Sequence, residues 1–449
     1  MRQEIPKVLS KTSEKTLIEH VLDQAKSIES SKNIVVCGYQ AEKVEKKVNE
    51  YSNKIELNLE TAIQENQLGT GDAVKSALSK LDDFTGNVVI LYGDVPLVKT
   101  NTLKELINTH NKEEATVSIL TLKGHSDNTY GRILRNIDGT VNAIREFKDL
   151  TSIQRLVDET NSGILVVDSS FLKPAIKKLE PKNAQNEYYL TDIIEMAVTE
   201  GQNVSTFTTF DSQEIQGVNT LADLANINKE LQKERINKFI DSGVKFDFPE
   251  SVLIDSEVEI ENGCRIGANV YLQGSTKIGK FSTIESTSVI INSTIGENTF
   301  IKLGSRIEDS SIGNSCSLGP FCNIRPNSRI ENKVKIGNFV ELKKSSIGEE
   351  SKVNHLSYIG DSEIGKRSNI GAGTITCNYD GTSKFKTIIK DDVFVGSNST
   401  LVAPITIESK AYVGAGTLIN KKTVPSGSLA VSRAQYKTIE NWSPRKKES

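Results

Sequence analysis

The sequence predicts two unlike halves, an α/β domain followed by an all-β solenoid of six-residue units. Three observations carry this. Aliphatic residues recur six apart from Ile254 to Ile419, strand-like and helix-like patterns alternate over residues 1–210, and one helix-period stretch lies between them. The implied organisation is a first domain over 1–220, a linker helix over 221–244 and a solenoid with its tail over 245–449.

The hexad is the strongest signal. Ile254, Ile260, Ile266, Leu272, Ile278, Ile284 and Ile290 hold the spacing. It slips by one residue and resumes at Ile295, Ile301 and Ile307, then at Ile312, Leu318, Ile324, Ile330, Ile336 and Leu342. Further slips lead to Ile347, Val353 and Ile359, then Ile364 and Ile370; after a gap come Ile389, Val395, Leu401, Ile407, Val413 and Ile419. Six is three times the strand period, so each hexad fits one short strand and a corner, and three hexads close a triangular coil with the aliphatic side chain inside. Gly follows many of these residues (Gly267, Gly279, Gly296, Gly313, Gly337 and Gly371 among them) and is expected to make the corners. This pattern resembles the hexapeptide-repeat acyltransferases, which implies a left-handed parallel β-helix, a trimer, and active sites in the grooves between prisms.

Composition narrows the function. The 449 residues exceed one core, and a net charge of −3 argues against nucleic-acid binding. The run Arg445, Lys446, Lys447 reads as a solvated tail. With no run of eighteen apolar residues and no signal peptide, a non-membrane, cytoplasmic protein is expected. Five scattered cysteines without a CxxC pair fit reduced thiols; Cys316 and Cys322, six apart, are placed to share a coil face, with packing as their role.

In the first half, Leu17, Ile18, Val21, Leu22, Ala25 and Ile28 mark a helix face. Residues 33–37, 87–92 and 116–122 read as buried strands of a mostly parallel sheet, and 103–108 and 188–200 as helices. Three motifs stand out. Gln64-Glu65-Asn66-Gln67-Leu68-Gly69-Thr70-Gly71 combines Gly with a following helix N-terminus, which suits a phosphate; a Gly-containing loop capped by Thr70 is the plain alternative. Leu91-Tyr92-Gly93-Asp94-Val95-Pro96 puts Asp94 at the carboxyl end of a strand, where a carboxylate can hold Mg²⁺ against phosphate oxygens, or merely start a turn. The third is a scatter: Tyr130-Gly131-Arg132, Glu146, Asn161-Ser162-Gly163 and Gly217-Val218-Asn219, the last able simply to begin a helix with Thr220 and Asp223 as a capping box.

In this order the motifs resemble bacterial sugar-nucleotide pyrophosphorylases, an α/β nucleotidyltransferase (Rossmann-like) fold. With the hexapeptide half attached, the whole chain resembles the bifunctional N-acetylglucosamine-1-phosphate uridyltransferase/glucosamine-1-phosphate acetyltransferase family. By that resemblance Gln64, Leu68, Gly69 and Thr70 contact the uridine nucleotide, and Tyr92, Gly93, Gly131, Glu146 and Asn161 contact nucleotide or sugar. Asp94 and Asn219 bind Mg²⁺, and Lys7 helps hold the phosphates of UTP. The family opens with a buried strand and a Gly-rich loop, LAAGxGTRM, just ahead of the segment matching Arg2–Leu9; this sequence contains neither. The resemblance therefore implies a first half short of a central strand and a phosphate cradle, with impaired uridylyl transfer as written.

The solenoid half holds one His, His355, in Val353-Asn354-His355-Leu356-Ser357-Tyr358, and alternation near a corner leaves its direction open. Amine acetylation needs a base that titrates near neutrality, and the same region is rich in cations. By the resemblance His355 is that base; Arg325, Lys343, Tyr358, Asn369 and Lys384 bind glucosamine 1-phosphate; Ala372, Asn378, Tyr379, Ser397, Ala415 and Arg433 surround acetyl-CoA. The stretch Thr374–Gly381 between Ile370 and Ile389 is too polar to continue the coil and is expected to protrude. The implied product, UDP-N-acetylglucosamine, serves peptidoglycan and lipopolysaccharide synthesis. Two alternatives remain: an acetyltransferase alone, and a non-catalytic binding subunit, which predicts an erosion around His355 that is absent.

Overall fold

The computed structural model describes residues 5–12, 15–124, 128–433 and 435–440. The terminal basic run at 445–447 lies outside the described residues. Two compact units, Met1–Leu231 and Gln232–Ser449, divide the chain.

The first unit alternates helices and strands: α1 (Leu17–Ser27), β1 (Asn33–Cys37), α2 (Ala41–Lys54), β2 (Leu59–Ile63), α3 (Thr70–Ala77), β3 (Asn87–Ile90), α4 (Thr100–Lys112) and β4 (Val117–Leu122). Then come β5 (Arg132–Arg135), β6 (Val141–Arg145), β7 (Thr160–Asp168), α5 (Ser169–Lys178), α6 (Asp192–Thr199) and β8 (Val204–Thr209). The helix and strand readings each fall on an element, with the 188–200 helix beginning only at Asp192 and the 87–92 strand ending at Ile90.

The sheet, however, is mixed rather than mostly parallel. β1–β2 and β4–β8 pair in parallel, but β7 runs antiparallel against β3, β4 and β5, and β5 against β6. Strands buried on both faces read as unbroken apolar runs whichever way they point, so direction leaves no trace in composition. The sheet is also in two pieces: β1 and β2 form their own pair, and among the described residues no strand joins β1 to β3.

A long helix, α7 (Leu221–Asp241), follows, its start held by the expected box: Thr220 N–H donates to Asp223 (2.7 Å) and Asp223 N–H to Thr220 Oγ1 (3.1 Å).

The second unit is a three-faced parallel solenoid whose sheets contain ten, ten and eleven strands among the described residues. Each hexad aliphatic faces inward and pairs with its counterpart one coil on: Ile254 with Leu272, then Ile290, Ile307, Ile324, Leu342 and Ile359. These residues form one continuous buried column. The one-residue slips all fall at the same corner, the one leaving this face, where Asn292, Asp309, Lys344 and Asp361 adopt positive φ.

That observation corrects the role expected of glycine. Of the glycines that follow inward residues, Gly319 alone has a positive φ; the left-handed corner residue comes later, as at Asn269 after Gly267 and Phe339 after Gly337. The glycines are needed because successive coils touch there. A Cβ on Gly337 would lie 1.7 Å from the Asn354 carbonyl oxygen, and one on Gly371 would lie 2.5 Å from the Ser397 nitrogen.

The polar stretch 374–381 is corrected too. Ile375–Cys377 is a strand of the solenoid, and Thr376 takes the inward place between Ile359 and Leu401. A hydroxyl is tolerated there because Gly360 N–H on the preceding coil donates to it (2.8 Å) and it can donate to the Tyr358 or Gly360 carbonyl oxygen of that coil. The chain leaves the coil only after Asn378, through Tyr379–Lys384. Cys316 and Cys322 sit two residues before inward Leu318 and Ile324 on successive faces, not one; both are buried, and burial pushes the Cys322 thiol up to about 11.

Candidate active sites

In the first unit, segments far apart in sequence converge on one region. Gly69, φ +109°, sits where a Cβ would meet the Tyr188 carbonyl at 2.7 Å, and the same carbonyl accepts from Gly71 N–H (2.7 Å). Leu68, largely exposed, uses its carbonyl to accept from Tyr188 N–H (2.7 Å). Gln64 ties this loop down by donating to the Gly69 carbonyl and to Asp72. Thr70 is not the cap; it is the first residue of α3, and its Oγ1 accepts from Leu190 N–H (3.1 Å).

Next to Thr70 lies Tyr92. Its ring covers Gly163, where a Cβ would approach within 2.7 Å, so a side chain there would displace the ring. Burial raises the Tyr92 phenol, helped by the Glu146 carboxylate and opposed by its hydrogen bond with Thr70. Glu146 is itself pushed above the usual carboxylate range by burial, against the hydrogen bond it accepts from Thr191 Oγ1 (3.0 Å). Gly131 is pressed against the Arg145 carbonyl and the Glu146 carboxylate, and its own carbonyl accepts from Asn161 N–H (2.9 Å). Asn161, buried, accepts from Gly163 N–H through Oδ1. Thr191 is the residue the sequence reading missed; a threonine before a helix carries no mark of a carboxylate partner forty-odd positions earlier.

The second part of this region is a three-residue convergence. Lys7 Nζ donates to Asp94 Oδ2 (2.5 Å) and to Asn219 Oδ1 (3.0 Å). At Gly93 a Cβ would lie 3.2 Å from a Val8 methyl and 3.3 Å from an Ile18 methyl, so the chain runs close under both side chains there. Val218 N–H donates to the Asp94 carbonyl (2.9 Å), fixing the two segments side by side. A carboxylate and an amide oxygen thus aim at one cation-bearing point, a donor pair of the kind Mg²⁺ takes when phosphates and water complete its shell. Among the described residues no cluster of three or more His, Cys, Asp or Glu could hold a metal by itself.

The second unit distributes its candidates along one corner edge and one neighbouring face. His355 is exposed, at the end of Lys352–His355, its carbonyl accepting from Gly373 N–H (3.2 Å). The same edge climbs coil by coil: Asn398 N–H donates to the Ala372 carbonyl, Gly416 N–H to the Ser397 carbonyl, and Arg433 Nη1 to the Ala415 carbonyl (3.1 Å). His355, Ala372, Ser397, Ala415 and Arg433 therefore form one ladder.

The cations group separately. Arg325 pairs with Glu341 (2.8 Å), which holds the guanidinium pKa up. The Lys384 ammonium beside Lys343 pushes the Lys343 pKa down, Arg325 adding to the repulsion and Asp361 opposing it. Lys384 is delivered by the excursion, bridged to exposed Tyr379. Asn378, buried, donates to Asp361 (2.5 Å) and lies with the Tyr358 hydroxyl against Gly360. Asn369 is not in this group: it lies on the face of His355, paired with Lys352 below and Phe394 above. Glu341, which pairs with Arg325, and Asp361, which accepts from Asn378 and favours the Lys343 charge, were not singled out from sequence, because carboxylates on a solvent-facing coil look like surface charge.

Comparison with known proteins fits this geometry. The Nucleotidyl transferase family model matches residues 2–234, the GMPPB C-terminal domain model matches 248–325 and 306–398, and the Hexapeptide repeat of succinyl-transferase model matches 386–421. The first unit is accordingly a Rossmann-like nucleotidyltransferase domain and the second a left-handed β-helix of hexapeptide repeats. A bifunctional protein GlmU from Geotalea uraniireducens is 42% identical over 100% of this chain and 96% of its own length. Proteins of the same name from Streptococcus thermophilus (41%; 99% and 95%) and Marinobacter nauticus (39%; 100% and 96%) match as fully. The chain belongs to the GlmU family of bifunctional proteins.

Proposed function

We propose that the chain makes UDP-N-acetylglucosamine in two steps, acetyl transfer in the second unit and uridylyl transfer in the first. The observation that carries the reading is the meeting of Lys7, Asp94 and Asn219 within hydrogen-bond reach, beside the Thr70–Tyr92–Glu146 cluster, in a member of this family.

In acetyl transfer, the amine nitrogen of glucosamine 1-phosphate attacks the thioester carbonyl of acetyl-CoA. His355 takes the amine proton, the carbon–sulfur bond breaks, and the CoA thiolate leaves and is protonated. Arg325, Lys343 and Lys384 hold the sugar phosphate, whose charge relieves the repulsion between the two lysines. Tyr358 and Asn369 orient the sugar, and Ala372, Asn378, Tyr379, Ser397, Ala415 and Arg433 seat the CoA. An exposed ladder on one prism, with the cations grouped on another face, suits a homotrimer in which the groove is closed by a neighbouring copy.

In uridylyl transfer, a phosphate oxygen of N-acetylglucosamine 1-phosphate attacks the α-phosphorus of UTP and pyrophosphate leaves. Asp94 and Asn219 would hold Mg²⁺, which supplies neutralisation of phosphate charge when bound. Lys7 steadies the phosphates; Gln64, Leu68, Gly69 and Thr70 present the uridine nucleotide; Tyr92, Gly93, Gly131, Glu146 and Asn161 shape the sugar pocket. Among the described residues no helix is long and apolar enough to cross a membrane.

A second reading, acetyl transfer alone, draws on one observation: the first unit's sheet is split between β1 and β3. Pyrophosphate release from UTP, N-acetylglucosamine 1-phosphate and Mg²⁺, with CoA release in a parallel acetylation, separates the two. Both products uphold the full reading; CoA alone leaves the second; neither refutes both.

A further inference from the structure

Asn378 leaves the coil with its backbone carbonyl already engaged, accepting from Phe385 N–H (2.8 Å). The residue is 6% exposed, and its side chain makes one hydrogen bond among the described residues, Nδ2 donating to Asp361 Oδ2 (2.5 Å). A carboxylate only accepts, so it dictates which way the amide lies. Nδ2 faces Asp361, and Oδ1 takes the other side, where no described residue donates to it. A buried amide oxygen left without a donor carries a desolvation cost that a bound N–H removes.

Asp361 is itself held. It is the positive-φ residue of its corner (+48°). Its N–H donates to the Lys343 carbonyl on the preceding coil (2.9 Å), and its carbonyl accepts from Thr387 N–H on the following one (3.2 Å). The carboxylate therefore stands on a corner tied to both neighbouring coils. Gly360 supplies the room. Its φ is not positive, but a Cβ there would lie 2.5 Å from the Tyr358 hydroxyl and 2.8 Å from Asn378 Nδ2. The glycine lets those two side chains close over the backbone, on the strand position that pairs with Lys343.

We propose that Asp361 is a positioning residue for acetyl transfer: it turns the Asn378 amide so that Oδ1 accepts an N–H of a bound substrate. Both substrates carry such a donor, the amine of glucosamine 1-phosphate and the amides in the pantetheine arm of CoA. The inference rests on the acetyl-transfer reading above.

The test measures CoA release by the full chain as wild type, Asp361→Gly, Asn378→Ala and the double variant, with KM for each substrate. Glycine accepts the positive φ and removes the carboxylate. Asp361→Gly should lower kcat/KM at least tenfold, and the double variant should be no worse than Asn378→Ala alone, because the carboxylate acts through the amide. Asp361→Asn suits the same φ and keeps an acceptor but no longer dictates the flip. It should show a smaller loss with the same non-additivity, and it decides the matter if the glycine variant does not fold. A loss read in KM for acetyl-CoA assigns the donor to the pantetheine arm, and one read with glucosamine 1-phosphate assigns it to the amine. Wild-type kinetics in Asp361→Gly overturn the proposal. So do single losses that multiply in the double variant, the result of a merely structural role. A wild type that releases no CoA refutes the acetyl-transfer reading, and this assignment with it.

Discussion

The two units place chemistry on very different scaffolds. In the solenoid every strand pairs with the one a coil away, so the contacts repeat and a single rule generates the core. In the first unit β3 pairs with β7, β4 with β8, and Lys7 reaches Asn219, all across long stretches of chain. The solenoid offers its candidate base on an exposed edge; the first unit draws Glu146, Asn161 and Tyr92 inward. Repetition provides a stable rod and leaves function to its outer edge, while non-local folding builds a pocket but depends on every strand being paired.

That contrast predicts independent failure. Asp94→Asn should lower pyrophosphate release by about a thousandfold, since charge placement dominates phosphoryl transfer, and leave CoA release unchanged. His355→Ala should do the converse, lowering CoA release by roughly a hundredfold or more and sparing pyrophosphate release. Either variant impairing both reactions equally would break the division into two sites.

Gly337→Ala sharpens the structural side of the comparison. Its Cβ would collide with the Asn354 carbonyl of the next coil, and overpacking of this kind costs about 1–3 kcal/mol. A urea titration should show that loss in the second unit's transition alone. Gly139→Ala, at positive φ but with nothing near its Cβ, should cost only about 1 kcal/mol in the first.

The smallest effect expected is a pH effect. Burial raises Glu146, so ionising it opposes folding: its contribution is intact below the ordinary glutamate range and is lost as pH rises through the raised value. Glu146→Gln should flatten that fall, and the difference in Tm between wild type and variant should grow between pH 4 and pH 8 in thermal scans.

Much of the fold was legible. Inward Ile, Leu and Val at six-residue spacing located nearly every solenoid strand, because a coil that repeats leaves a repeating mark. Thr376 escaped that reading: its inward place rests on hydrogen bonds from Gly360, and composition shows only a polar residue. The glycine corners were misread for a related reason, since the clash at Gly337 involves Asn354 on another coil. In the first unit the motifs around Gly69, Asp94 and Glu146 were visible singly, but Thr191 and the mixed sheet were not.

By itself, then, the sequence determined the period, the inward column, the presence of several helices and the residue types available for chemistry, all set by local pattern and side-chain solubility. The tertiary structure decided which strand runs against β7, which cations crowd Lys343, and that Lys7 meets both Asp94 and Asn219. It also decided that Asn378 turns its amide to Asp361. Those are properties of distance between remote residues, and distance is fixed only when the chain packs.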